Sequence, residues 1–264
     1  PYLKENPKSS MGHYFIGLAH LGNKDIQQAK TELSEAVKLN PKWVEARLIL
    51  GDLYIRTGAV DLAIEEGNEI LKINPDSVQA HLLVGNAYLL KKNLTKGMKS
   101  MEEVIRIAPN NPIGYYQMGR TLLAQRKEKE ALVQFEKALS LQPNFIDALN
   151  HIAAIYIHQK ENKKAIERVE AQIKTSPQNP FLYNLLGRTH EVNKDAAKAE
   201  ANYKKAIDIN PNIAGFYISL ANFYVRQNLT EKAIEEYNVA IQKDPNSLSA
   251  NMGLGIIYDM QKKY

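Results

Sequence analysis

The short stretch KINPDS, residues 72–77, contains the signals that end one helix and begin another. Ile73 closes an apolar face, and Pro75 cannot continue a helix because it has no backbone N–H. Asp76 and Ser77 are typical of turns and of helix N-caps. Taken alone, the stretch predicts a single helix boundary. Its recurrence at a fixed distance predicts the fold of the whole chain.

Prolines in this setting recur every 34 residues. They are Pro7, Pro41, Pro75, Pro109, Pro143, Pro177, Pro211 and Pro245. A fixed period of this size is typical of a solenoid, in which each repeat is one supersecondary unit stacked on the next. With the proline at position 32 of the unit, we predict a single array over residues 1–264. Its full repeats are 10–43, 44–77, 78–111, 112–145, 146–179, 180–213 and 214–247, with 1–9 as the tail of an earlier repeat and 248–264 as the first helix of a further one.

Two columns of small residues support this frame. Position 8 holds only Gly or Ala, and position 20 holds Ala in every full repeat except for Gly97. Apolar spacing within each repeat is helical, and turn residues interrupt it midway, as at 56–61, 91–95 and 226–230. Each repeat therefore reads as a helical hairpin, helix A followed by helix B. Glycine inside helix B, at Gly67 and Gly97, costs about 1 kcal/mol relative to Ala, which predicts that repeats 2 and 3 are the softest.

The combined pattern resembles the tetratricopeptide repeat, or TPR, over nearly the whole chain. Besides the small residues and the proline, the resemblance rests on an aromatic at position 11 and on Ala at position 27. These are Tyr54, Tyr88, Tyr156, Tyr224 and Tyr258, and Ala36, Ala138, Ala206 and Ala240. The resemblance implies an all-α fold, a right-handed α-solenoid superhelix of 34-residue helix-turn-helix repeats. Its A helices would line a concave groove that binds other proteins.

The TPR resemblance places the groove at positions 2, 5, 6, 9, 12 and 13 of helix A. The residues predicted to contact a partner are Leu48, Leu82, Leu83, Asn86, Tyr116, Gln117, Arg120, Asn150, His151, Asn184, Arg188 and Asn222. Leu82 and Leu83 belong to a helix that is apolar almost all round, and their side has no evident partner within the array. At position 12, as at Ile55 and Leu89, we favour packing between neighbouring A helices.

Polar groove residues indicate what kind of ligand would bind. Asn150 and Asn184 occupy position 5 in adjacent repeats, and an amide side chain both donates and accepts hydrogen bonds, as peptide backbone requires. Arg120 and Arg188 suit a carboxylate or another anion. The clamp that holds chaperone C-terminal tails in similar proteins has Lys at position 5, which no repeat here has. A co-chaperone of that type is therefore not predicted.

Two functions remain open at this point. The first is a non-catalytic scaffold that binds a protein or an extended peptide in the groove, and the regular repeats are most similar to prokaryotic arrays, including bacterial envelope and exosortase-associated TPR proteins. The second is the substrate-recruiting arm of a larger enzyme, such as a protein glycosyltransferase. Similar superhelices in those enzymes carry Asn along the inner wall, whereas the groove asparagines here are scattered.

Catalytic and cofactor chemistry is not indicated. The chain has no cysteine, which excludes thiolate nucleophiles and Cys-based zinc sites. His151 and His158 are seven residues apart, too far for the i,i+4 pair that chelates one metal, and the other histidines sit at packing positions. Adjacent glutamates on helix B are predicted to face solvent rather than to act as shielded acids. They are Glu65-Glu66, Glu102-Glu103 and Glu235-Glu236. We predict no cofactor and no metal.

Charge and hydropathy bound the partners. The net charge of +5 is small for 264 residues and is spread evenly, which does not favour nucleic acid. There is no apolar run of about 18 residues, so no direct membrane insertion is predicted. Cytoplasm and bacterial periplasm both remain open. The NLT triplets at Asn93 and Asn228 match a glycosylation acceptor, but both lie at the A–B turn, where Asn is expected for capping.

The two ends of the array would lack polar capping repeats. Leu254, Ile257 and Tyr258 are expected to pack against a helix B that these 264 residues do not contain. An exposed apolar end attracts a second molecule. We therefore expect self-association through the uncapped ends.

Overall fold

The structure is a computed structural model that describes residue 6 and residues 8–261, and helices are the regular secondary structure across that part of the chain. The helices are α1 Ser10–Gly22, α2 Ile26–Leu39, α3 Val44–Arg56, α4 Val60–Ile73, α5 Val78–Leu90, α6 Leu94–Ile107, α7 Pro112–Ala124, α8 Glu128–Leu141, α9 Ile146–His158, α10 Asn162–Thr175, α11 Pro180–Val192, α12 Ala196–Ile209, α13 Ala214–Arg226, α14 Thr230–Lys243 and α15 Leu248–Met260. Odd-numbered helices are the predicted A helices and even-numbered ones the B helices. The predicted all-α repeat fold is confirmed.

The chain divides into two compact units, Pro1–Leu141 and Gln142–Tyr264. Unit 1 contains the hairpins α1 to α8, and unit 2 contains the hairpins α9 to α14 followed by α15. Inside each unit every helix packs against the next one along the chain. Each unit is therefore a stack of hairpins whose interfaces are between nearest neighbours. The predicted tail of an earlier repeat, 1–9, lies mostly outside the described residues.

The stretch 72–77 forms the boundary that its sequence predicts. Helix α4 ends at Ile73, and the Ser77 N–H donates to the Asn74 carbonyl at 3.1 Å. The Ser77 hydroxyl then caps α5 by accepting from the Ala80 N–H at 3.3 Å. Proline is tolerated between them because the chain there is a turn, where Pro75 has no helical hydrogen bond to lose.

The A–B turn is held in the same way in every full repeat. Its position 15 is left-handed, with φ between 58° and 79°, at Lys24, Gly58, Lys92, Arg126, Lys160, Lys194 and Asn228. The N–H of the next residue donates to the carbonyl at position 11, as from Asn93 to Tyr88 at 2.8 Å. This 6→1 bond is the Schellman ending of a helix. The capping role predicted for Asn93 is confirmed, because its side chain accepts from the Lys96 N–H. Asn228 lies in the turn with a left-handed φ, but the N-cap of α14 is Leu229 and no side chain caps that helix.

The turn between repeats has its own recurring hydrogen bond. The side chain at position 4 donates to the carbonyl of the preceding proline, and the donors differ in chemistry. The bonds are Arg47 to Pro41 at 2.7 Å, His81 to Pro75 at 2.8 Å, Tyr183 to Pro177 and Tyr217 to Pro211 at 3.1 Å, and Asn251 to Pro245 at 3.2 Å. These bonds satisfy a carbonyl that the helices leave without a partner.

The predicted column of small residues at position 8 lies where helix A meets helix B. A Cβ added to Gly119 would lie 2.6 Å from the ring of Phe135, and one added to Gly187 would lie 2.9 Å from the ring of Tyr203. Both rings come from position 24 of helix B. The steric reason predicted for the column is confirmed.

Repeat 2 departs from this pattern, and the departure corrects one predicted groove residue. Position 24 is Gly67, so no side chain from helix B reaches Gly51. Leu83 of the next A helix enters that space: its Cδ2 lies 2.5 Å from where a Gly51 Cβ would be. Leu83 is consequently 8% exposed and belongs to the core with Ala63, not to a binding surface. The prediction that it contacts a partner is wrong.

One glutamate predicted to face solvent is also corrected. Glu66 forms an ion pair with Arg47, and their side chains are 16% and 10% exposed. Burial raises the pKa of the Glu66 carboxyl above its usual value, and the Arg47 guanidinium opposes that rise. Because Arg47 also bonds to Pro41, this pair joins α3, α4 and the turn between repeats.

Candidate functional site

In unit 1 the predicted groove is a cleft lined by three successive A helices. Helices α3, α5 and α7 contact one another in that order, and each supplies its position-9 side chain: Asp52, Asn86 and Arg120. The cleft has a volume of about 410 Å³, and Leu89 and Leu90 contribute apolar surface to it. Within each unit, we call the surface formed by positions 5, 9, 12 and 13 of its A helices the A-helix face.

Three predicted site residues meet on α7, and one of them, Arg120, lines this cleft. The Arg120 guanidinium lies 5.9 Å from the centre of the Tyr116 ring, within cation–π range. Its Nη1 donates to Gln117 Oε1 at 2.9 Å. Tyr116, Gln117 and Arg120 are i, i+1 and i+4 on α7, so the helix itself brings them together. Arg120 remains exposed and can take a further ligand.

The apolar residues predicted for the groove of unit 1, apart from the buried Leu83, are half-buried. Leu48 is half-buried and packs against the core around Ala63 and Leu83, as does Ile55. Leu82 is half-buried as well. The packing role expected for position 12 is therefore met at Ile55, although the same side chain also lines the cleft.

Asp52 was not among the predicted contact residues, although it stands in the same column as Asn86 and Arg120. Its carboxylate pairs with Arg56 one turn along α3, at 2.7 Å, with side-chain exposures of 53% and 65%. The signal for Asp52 is its position: neighbouring A helices present their position-9 side chains to the same cleft.

In unit 2 the first two A helices carry asparagine at position 5, whereas α13 and α15 carry Ile218 and Met252 there. Asn150 on α9 and Asn184 on α11 are both half-buried, and these two helices contact each other. The carbonyl oxygen of Asn184 is buried and makes no hydrogen bond within the described residues. Arg188 follows one turn along α11 and is exposed, and His151 is half-buried. The structure thus places the predicted Asn pair on neighbouring helices with a cation beside it.

Asn222, also predicted to contact a partner, is engaged inside the hairpin. The Tyr237 hydroxyl donates to its Oδ1 at 2.6 Å, and burial raises the pKa of that tyrosine. One acceptor site of the Asn222 oxygen is therefore used inside the hairpin, which reduces what this side chain can offer to a ligand. The signal was present in the sequence, because position 24, where Tyr237 lies, faces the A helix.

A second engaged network was not anticipated. Glu191 Oε2 accepts from the Tyr203 hydroxyl at 3.0 Å and from Arg226 Nη2 at 2.8 Å. The hydrogen bond to Glu191 raises the pKa of Arg226. Because Glu191 is only 13% exposed, this network fixes α11 against α13 rather than offering charge to a ligand.

Among the described residues no group of three or more His, Asp or Glu side chains could hold a metal ion. Nor is any described helix long and apolar enough to cross a membrane.

Comparison with known families identifies the repeat. Family models described as tetratricopeptide repeat match residues 14–78, 78–111, 122–188 and 193–255. The chain belongs to the tetratricopeptide repeat family.

Solved TPR-like structures share this fold. A tetratricopeptide repeat protein from Parabacteroides merdae aligns with a TM-score of 0.64 at 15% identity, over 94% of this chain and 98% of that one. The pilF protein of Pseudomonas aeruginosa aligns with a TM-score of 0.59 at 19% identity, over 82% and 97%. A MamA structure aligns with a TM-score of 0.51 at 22% identity, over 69% and 97%. No curated protein sequence matches the chain at a significant level. At these identities the likeness shows the fold alone.

Membership in the TPR family supports a role in protein interaction in general. TPR proteins are usually non-catalytic. The resemblance inferred from the 34-residue period is thereby confirmed, while the binding residues depend on the geometry of this chain.

Proposed function

We propose that this TPR chain is a non-catalytic scaffold that binds a protein or an extended peptide segment on the A-helix face. The observation that carries the proposal is the buried carbonyl oxygen of Asn184, which has no partner within the described residues. Buried polar atoms in folded proteins nearly always have a hydrogen-bond partner. Rotation of this half-buried side-chain amide would present the oxygen to a backbone N–H of a bound segment, which would supply the missing donor.

The neighbours of Asn184 suit the rest of such a segment. Asn150 stands at the same position on the contacting helix α9, so the two amides can bond to successive peptide groups whatever their side chains are. Arg188 is exposed one turn away and can bind a carboxylate with two parallel hydrogen bonds. Among the described residues, no observation favours the arm of a larger enzyme over a free-standing scaffold.

The proposal is tested by selecting peptides from a display library with the native chain as bait, then measuring the affinity of the enriched peptides. The triple variant N150A/N184A/R188A should lose at least tenfold in affinity, because it removes the amides and the cation together. A matched control is N238A/K205A, which makes two of the same kinds of change at exposed positions of helices B. Enrichment that is unchanged in the triple variant would place the binding surface elsewhere, and failure to enrich any peptide would reject the proposal.

A further inference from the structure

The cleft of unit 1 has an ordered set of charges. Asp52, Asn86 and Arg120 occupy the same position on α3, α5 and α7, and α5 contacts both of the others. A carboxylate, an amide and a guanidinium therefore follow one another across the cleft. An occupant that matches all three carries a cation at the α3 side and a carboxylate at the α7 side.

Apolar side chains accompany the amide between the two charges. Leu90 is 56% exposed, although it lies on a helix of a folded repeat. Ile55 and Leu89 are half-buried and line the same cleft, whose volume is about 410 Å³. Covering an exposed leucine releases about 25 cal/mol per Å² of apolar surface removed from water. The middle of the occupant is therefore an aliphatic side chain.

The polar groups of the cleft have capacity left for a ligand. Arg120 spends one N–H on Gln117, whereas a guanidinium has five. The side-chain amide of Asn86 makes no hydrogen bond within the described residues. Asp52 is paired with Arg56, but both side chains are more than half exposed, and such surface pairs contribute little to stability. A ligand cation can therefore share or replace Arg56 as the partner of Asp52.

The spacing of the helices sets the spacing of the charges in the ligand. Packed helices lie about 8–10 Å apart, so α3 and α7 are separated by roughly 16–20 Å. An extended chain advances about 3.3 Å per residue and directs every second side chain to the same side. Groups that reach Asp52 and Arg120 are consequently about five to six residues apart.

We infer that unit 1 binds an extended peptide segment in which an aliphatic residue lies between a Lys or Arg and a Glu or Asp about five to six residues away. This inference rests on the proposed function and specifies the sequence that unit 1 selects. Recognition follows from the order of charge across the three helices, so either direction of the peptide chain satisfies it.

The test is a library of peptides about seven residues long with blocked ends, in which a central leucine is fixed and all other positions vary. The native chain should enrich peptides that carry one cation and one carboxylate on opposite sides of the leucine. R120E should replace the preferred carboxylate by a cation, and D52K should replace the preferred cation by a carboxylate. For one enriched peptide, R120E should weaken binding at least tenfold, and a peptide with its carboxylate changed to lysine should regain most of that loss.

Matched controls separate the cleft from net charge. R126E makes the same change as R120E at the exposed A–B turn of the same hairpin, and it should leave the enriched sequences unchanged. R56A frees Asp52 from its partner and should strengthen the preference for a cation.

The outcomes distinguish this inference from the proposed function. The inference is overturned if the enriched peptides need Asn150 for binding but show no order of charge. It is also overturned if their charge preference survives both R120E and D52K. Either outcome leaves the scaffold proposal intact. A chain that enriches no peptide of any composition overturns both.

Discussion

Gln172 Nε2 donates to the carbonyl oxygen of Pro143 at 2.7 Å. In repeats 2, 3, 6 and 7 the equivalent carbonyl is bonded by the side chain at position 4, but repeat 5 has Leu149 there, which cannot donate. Gln172 stands at position 27, where Ala36, Ala138, Ala206 and Ala240 are found in other repeats. A polar residue in a column that is otherwise apolar, with Ile70 and Val104 beside the alanines, thus supplies the donor that Leu149 cannot.

The first prediction follows from this exchange. Q172A should lower the free energy of unfolding by about 1–3 kcal/mol, since it leaves the proline carbonyl without a donor. L149Y/Q172A should recover part of the loss, because tyrosine at position 4 donates to this carbonyl in repeats 6 and 7. L149Y alone should destabilise, as it adds volume to a site where leucine is fully buried. Urea denaturation of the three variants, with exposed Gln142→Ala as control, measures these effects. A double variant less stable than Q172A would contradict the exchange.

The second prediction concerns Lys92 in the A–B turn. Its φ of 58° is left-handed, a conformation that costs non-glycine residues about 1–2 kcal/mol. K92G should therefore stabilise the chain, by up to about 1 kcal/mol after the extra freedom of glycine in the unfolded state is subtracted. K92A keeps the strain and should not stabilise. The reverse change, G58K, should destabilise. Thermal melts in which K92G and K92A are equivalent would show that the turn is not strained.

These two relationships show what the sequence could predict. The period of 34 residues predicted where the helices and both kinds of turn lie. It could do so because proline, small residues and capping residues act locally and recur from repeat to repeat. Lysine and arginine at position 15 do not by themselves predict a left-handed backbone. The Schellman hydrogen bond imposes that conformation on them. Only Gly58 and Asn228 are residue types from which it could be read.

Errors occurred where one repeat departs from the others. Leu83 was predicted to be available to a partner, but it fills the space that Gly67 leaves because glycine has no side chain. Asn222 looked available, but Tyr237 of the facing helix binds its oxygen. In both cases the deciding residue lies 15 or 16 residues away on another helix, so the outcome depends on how two columns face each other.

The third prediction tests the corrected position of Leu83. L83A should destabilise by about 2–5 kcal/mol, as for other buried leucines, because the space between Gly51 and Gly67 would be left empty. L82A is the matched control: it makes the same change one residue away on the same helix, at a half-buried position. We expect it to cost clearly less. If denaturant titrations showed the two variants to be equally stable, Leu83 would not be a core residue.

The fourth prediction is a pH dependence from His190. This side chain is 5% exposed, and its burial lowers its pKa, an effect that Lys198 reinforces and that Asp195 and Glu170 oppose. The folded chain therefore binds fewer protons at this group than the unfolded chain, whose histidine has a pKa near 6.5. The stability contribution is present above about pH 6.5 and is lost as the pH falls through the lowered folded value. H190Q removes the titrating group, as does H190Y, which introduces the tyrosine found at this position in other repeats.

The measurement is the free energy of unfolding of each variant at several pH values between about 7.5 and 5. The native chain should lose more stability over this range than either variant, and the difference should grow as the pH falls. Parallel curves for the native chain and both variants would mean that His190 keeps an ordinary affinity for protons in the folded chain.

The fifth prediction sets stability against binding at Asn184. Its carbonyl oxygen is buried without a partner, and an unsatisfied buried polar group costs about 1–3 kcal/mol. N184L introduces leucine, the residue that repeats 2 and 3 have at this position as Leu48 and Leu82. The free chain should therefore become more stable by about 1 kcal/mol. The same change should weaken peptide binding at least tenfold, because the acceptor for the ligand N–H is gone.

Asn222 provides the comparison that makes this prediction specific. N222L also replaces a half-buried asparagine of the A-helix face by leucine, but it removes an acceptor that the Tyr237 hydroxyl uses at 2.6 Å. It should therefore destabilise the free chain by about 1–3 kcal/mol, the opposite sign to N184L. Thermal denaturation of both variants without ligand, followed by affinity measurements on an enriched peptide, separates the two roles. If N184L proved as destabilising as N222L, Asn184 would be a structural residue, and the missing partner of its oxygen would no longer support a bound segment.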